Sequence, residues 1–161
     1  EYKEKNGHFP LWNTNLFSGM PNYQVAMEGD SAMPNFVQIL SFGLPKPINY
    51  LFLAALCFYI LTLVMGLSPW IGLFGGLAYM LSTYNPIIIG AGHESKMWAL
   101  AFLPLMLAGI LALFDKKYWL GTALTTYGIF QQIAVNHFQI TYYALLIVAA
   151  LAMSSELDCR V

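Results

Sequence analysis

The chain of 161 residues carries seven basic and eight acidic side chains, a formal net charge of −1 and 58% hydrophobic residues, with a mean hydropathy of +0.60. Its 9% charged residues fall far below the roughly 25% of soluble domains, which points to a membrane protein. Near-neutral charge without a basic block excludes nucleic acid as a partner, and the two cysteines, Cys57 and Cys159, have no metal or redox spacing and read as packing or surface filler.

Residues 1–47 differ from the rest of the chain. They hold five of the eight prolines and the turn signals SGMP, EGD and LPKP, yet Phe9, Leu11, Trp12, Leu16, Phe17, Met20 and Tyr23 supply too much apolar area for a solvated coil. The expectation is a structured extracytoplasmic loop at the membrane surface, with Trp12 and Tyr23 at headgroup depth and a short amphipathic piece over 35–44. The chain begins at Glu1 without Met or a signal-like stretch, and reads as a fragment whose preceding helix lies upstream.

Beyond residue 47 no charge falls between Lys46 and Glu94, Lys96 and Asp115, or Lys117 and Glu156. Crossing about 30 Å of hydrocarbon takes roughly 20 apolar residues as helix. The reading is an all-α integral membrane protein with about five transmembrane helices, near 48–66, 70–91, 97–114, 118–135 and 138–153. A cytoplasmic tail or truncated end covers 154–161. The runs are apolar on every face, which argues against the alternation of a barrel. Asn85-Pro86 predicts a kink or unwound stretch in the second run. With alternate crossings, Lys116, Lys117 and Arg160 fall on one face and Lys46 and Lys96 on the other. That three-to-two bias puts the loop FDKK in the cytoplasm and His8, His93 and His137 outside.

Polar chemistry gathers in two knots on that outer face. In GHESK (92–96), His93 and Lys96 stand three apart on one helix face while Glu94 points about 100° away. They could receive a phosphate-bearing ligand beside a positive helix N-terminus, or the stretch could be an interfacial cap through Glu94 or Ser95. In the second knot, Gln131, Gln132, Asn136, His137 and Gln139 either join helices or line a polar cavity, since buried amides in lipid need partners. Tyr142 and Tyr143 read as interface anchors. Glu28 and Asp30, flanking a glycine in AMEGDS, could act as base or bind a divalent cation, but equally form a solvated turn. No GxSxG, HExxH, P-loop or CxxC spacing occurs.

Three stretches, PLWNTNLFSGMPNYQ (10–24), GHESKMWALAFLPL (92–105) and NHFQITYY (136–143), resemble the YfhO-type bacterial membrane proteins, which look like members of the multispanning C-type glycosyltransferase superfamily. The resemblance implies an inner-membrane enzyme that moves a sugar from a polyprenyl-phosphate carrier to an envelope polymer or lipid acceptor outside the cytoplasm. It places the catalytic acid upstream of Glu1, leaving Glu94 and Asp30 as weak catalytic candidates. It assigns the lipid-phosphate donor to His93, Lys96, Asn136, His137 and Gln139. No metal ligands are assigned and no cofactor is certain, a divalent cation being conceivable. Phe138 stands where the family pattern has proline. The rival functions are a carrier or flippase-like protein of lipid-linked substrate, and a noncatalytic membrane assembly subunit.

Overall fold

A computed structural model describes residues 7, 11–13, 19–21, 40–135 and 137–158, with backbone alone at 13, 20 and 154–158. It divides into two units, Glu1–Asp30 and Ser31–Val161.

In the first unit, Trp12–Asn13 (β1) pairs antiparallel with Met20–Pro21 (β2), Trp12 opposite Pro21. The indole of Trp12 lies against Gly19, where a Cβ would fall 2.6 Å from Nε1, so only glycine lets the ring close over the backbone. No strand is expected there from the residue pattern, so this ladder is an addition to the anticipated loop. Tyr23, the amphipathic piece before residue 40, His8, Glu28 and Asp30 lie outside the described residues.

The second unit is helical: α1 (Ile48–Val64), α2 (Pro69–Met80), α3 (Tyr84–Gly90), α4 (Glu94–Phe114), α5 (Tyr118–Ala134) and α6 (Phe138–Asp158). All-α architecture is as expected. The second apolar run is divided, as Asn85-Pro86 predicts, but the break falls earlier, at residues 81–83, and Pro86 sits in the first turn of α3. There its missing N–H costs nothing, because first-turn amides have no partner within the helix. Asn85 is buried and donates from Nδ2 to the carbonyl of Tyr79 (2.8 Å), which also accepts from Ser82 N, and to that of Met80 (3.2 Å) at the end of α2. The break is therefore satisfied by a side chain.

Helix α4 is the centre, packed along α1 on one side and α5 on the other, with α2 against α1 and α6 touching α4 more lightly. Its core face, including Met97, Ala101, Phe102 and Leu105, meets Tyr50, Leu53, Ala54 and Cys57 of α1. Small residues set the helix spacing, because they let neighbouring backbones approach closely. A Cβ on Gly128 of α5 would come within 2.7 Å of the Met106 Cα, and one on Gly76 of α2 within 2.8 Å of the Ala55 carbonyl oxygen.

Pro104 lies inside α4 and cannot donate to the carbonyl of Leu100 four residues earlier. The hydroxyl of Tyr79 supplies that bond at 2.8 Å, and Gln132, almost fully buried on α5, donates to the neighbouring carbonyl of Ala99 at 2.7 Å. The amide of Gln132 thus joins helices, one of its two expected roles. Gln131 donates to the hydroxyl of Tyr127 on its own helix, at 2.8 Å.

Among the described residues, α4 is the one helix both long and apolar enough to cross a membrane; α1 and Phe138–Met153 of α6 are apolar but shorter.

Candidate functional site

Helix α3 ends in paired bonds from Gly92 N to Ile89 O and from His93 N to Ile88 O, both 3.0 Å, with Gly92 at φ +78°. This closure needs a left-handed residue, which glycine supplies without a Cβ clash, and it delivers His93 to the N-cap of α4. No side chain caps the helix, so neither Glu94 nor Ser95 fills the capping role considered for them. The first-turn N–H groups remain for another acceptor.

Glu94 and Lys96 leave this turn in different company. The carboxylate of Glu94 accepts from Lys46 Nζ at 2.6 Å, both side chains about half exposed. An ion pair of that exposure contributes about 0–1 kcal/mol to stability. Lys46 also lies 5.9 Å from the ring centre of Tyr50, which is almost fully buried and meets Trp98 edge-on at 4.6 Å. The Tyr50 hydroxyl lies close to both charges but reaches hydrogen-bond geometry with neither. Bonding to the Glu94 carboxylate holds the Lys46 ammonium above its ordinary range. Lys96 instead rests over the ring of Tyr84 at 5.2 Å and has no carboxylate partner among the described residues.

His137 precedes α6, its carbonyl accepting from Ile140 N, Thr141 N and the Thr141 hydroxyl. Its Nδ1 is covered and has no hydrogen-bond partner among the described residues. Burial lowers its pKa first, and the positive charges of Lys96 and His93 lower it further. His137 therefore lies within electrostatic reach of Lys96 and His93 at the start of α4.

Of the residues anticipated for the donor, Lys96 and His93 lie near enough to His137 for their charges to lower its pKa. Gln139 is exposed and donates to the Tyr143 hydroxyl at 3.1 Å, one turn along its own helix. Asn136 lies outside the described residues, as does Asp30. Glu94 turns to Lys46. Lys46, Tyr50 and Tyr84 were not anticipated, and no local spacing could have found them: Lys46 and Glu94 are 48 residues apart. No group of three or more His, Cys, Asp or Glu side chains suited to a metal occurs among the described residues.

No protein-family model, curated protein or solved structure matches the chain.

Proposed function

We propose that this chain belongs to a multi-pass protein of the bacterial inner membrane that binds a phosphate-bearing lipid at its outer face and acts there as a polyprenyl-phosphate-dependent glycosyltransferase. The observation that carries this reading is Lys96 in the uncapped first turn of the apolar helix α4, with His93 at its N-cap. A lipid phosphate needs that combination, its tail in hydrocarbon and its charge at the surface. Large apolar side chains left uncovered on the flanking helices support a lipid surround: Trp70, Phe74 and Leu81 in and after α2, Trp119 on α5, Leu145 on α6. Soluble surfaces rarely expose apolar area on that scale.

In this reading an acceptor hydroxyl attacks the sugar carbon in line, the carbon–oxygen bond to the lipid phosphate breaks, and the phosphate leaves with the electron pair. Lys96 and the two histidines stabilise the charge that gathers on it. In the family it resembles, the acceptor's proton goes to a carboxylate of the first outer loop. Glu94, bonded to Lys46, takes no part in that transfer.

The test measures transfer of labelled sugar from a polyprenyl-phosphate donor in membranes. Lys96→Met keeps the apolar stem and removes the charge. Losing a charge-assisted contact of about 1.5–3 kcal/mol should lower transfer by about ten- to a hundredfold, with the melting curve little changed. A low melting temperature with full activity per folded molecule would make the cluster helix glue, which is the assembly-subunit reading.

A further inference from the structure

Three helices end in the same backbone closure. After α1 the amides of Gly66 and Leu67 donate back to Leu63 and Thr62, after α3 those of Gly92 and His93 donate to Ile89 and Ile88, and after α4 those of Lys116 and Lys117 donate to Leu113 and Ala112. The first residue of each pair is left-handed, at φ +77°, +78° and +62°. Glycine fills that position twice, as its missing Cβ favours. Lys116 fills it the third time at a steric cost, so this turn keeps a side chain where the backbone alone would prefer none. Asp115 pairs with Lys117 at 3.2 Å, and Lys116 has no carboxylate partner among the described residues.

Exposed rings stand beside that lysine. Tyr118 and Trp119 open α5, and the indole of Trp119 belongs to a residue 94% exposed; Trp70, likewise the second residue of its helix, is 79% exposed on α2. Lys46 meets Glu94 and Tyr50 meets Trp98, so α1 and α4 run side by side in one direction, and the turns that follow them emerge at the same end. Helix α2 leans on α1 and α5 leans on α4, where a Cβ at Gly121 would come within 2.7 Å of the Leu113 Cγ. The two tryptophans therefore stand at one end of the bundle but on different flanks.

We propose that the turn 115–117 and the rings around it anchor this end of the protein in the headgroup layer of a bilayer, Trp119 and Trp70 lying at the boundary with hydrocarbon and Lys116 reaching the phosphate of an anionic phospholipid. The inference rests on the membrane reading above but not on the donor site, which belongs to the other end of α4.

Polarity falls with depth in the order a bilayer requires. Charge at 115–117 gives way to the amphipathic rings of Tyr118 and Trp119, and these to the exposed aliphatic side chains of Leu120, Ile129 and Ile133. On the other flank Trp70 is followed by exposed Leu73, Phe74 and Leu77. Indole and phenol suit the boundary because an apolar body and a polar tip meet hydrocarbon and water at once. A protein partner would cover one flank, whereas a lipid layer surrounds both. The charge bias that puts this turn in the cytoplasm also puts Lys116 on the leaflet richer in anionic lipid.

The experiment uses the full chain in phosphatidylcholine vesicles containing phosphatidylglycerol, and reads the quenching of tryptophan fluorescence by brominated lipids. Variants with a single tryptophan keep Trp119, Trp70 or Trp98, with phenylalanine replacing the others. Bromines near the headgroup should quench Trp119 and Trp70 more strongly than bromines near the chain end. Trp98, packed between Tyr50 and Phe102, should respond weakly to both. Brominated phosphatidylglycerol should quench Trp119 about two- to fivefold more effectively than brominated phosphatidylcholine, the local enrichment expected from one lysine at an anionic surface. Lys116→Gly should abolish that preference while the melting temperature holds or rises, since glycine relieves the left-handed position. A preference that survives Lys116→Gly overturns the role of the lysine. Stronger quenching of Trp119 from the chain end overturns the anchor, as does its protection from both labels in protein that floats with the vesicles, which would mean that a second copy covers the ring. A chain that does not float with the vesicles removes the membrane reading itself, and the anchor with it.

Discussion

The hydroxyl of Tyr79 donates to the Leu100 carbonyl, the one backbone acceptor that Pro104 strips of its amide partner. A proline inside the central helix is thus tolerated because a side chain from another helix completes the bond. Tyr79→Phe should lower stability by about 1–3 kcal/mol, the cost of a buried carbonyl left unsatisfied. Pro104→Ala in that background should recover most of the loss, because alanine carries the amide that proline lacks and can donate it to Leu100. Denaturation of the two single variants and the double variant would decide it, and simple additivity would contradict the assignment.

Close approach of α4 and α5 makes a second expectation. Gly128→Ala places a methyl 2.7 Å from the Met106 Cα, a backbone atom that cannot swing aside. Overpacking of this kind costs about 1–3 kcal/mol, so the melting temperature should fall. Gly90→Ala is the control: nothing lies within 4 Å of its added Cβ, and its stability should hold or rise.

The lowered pKa of His137 fixes a pH dependence. Folding favours its neutral imidazole, so the contribution is complete above the unfolded value of about 6.5 and is lost as pH falls through the lower folded value. Melting curves should therefore show acid sensitivity developing below about pH 6.5, smaller in His137→Gln. An identical pH profile in parent and variant would place that sensitivity on other groups.

On the multi-pass membrane reading proposed above, orientation is open to direct labelling. In a background with Cys57 and Cys159 replaced, cysteines at Ser95 and Phe138 should react with an impermeant thiol reagent from outside, and one at Lys116 should not. All three positions are exposed on the described surface. Labelling of Lys116 with protection of Ser95 would invert the arrangement.

That the apolar runs become helices was legible in the residue order, because charge-free stretches of this length leave the backbone no better way to satisfy its own hydrogen bonds. So was a break in the second run near Asn85-Pro86, a consequence of proline's covalent geometry. The remaining features depend on partners far apart along the chain. Whether Gln132 lines a cavity or grips a neighbouring helix turns on which carbonyl lies opposite, and that carbonyl is Ala99, 33 residues away. Whether Glu94 or Lys96 stays available depends on Lys46, set beside α4 by the packing of α1. His137 comes within electrostatic reach of His93 and Lys96 through contacts between helices far apart in sequence. Local pattern fixes which side chains share a helix face, and only packing of the helices brings faces from different helices to one space.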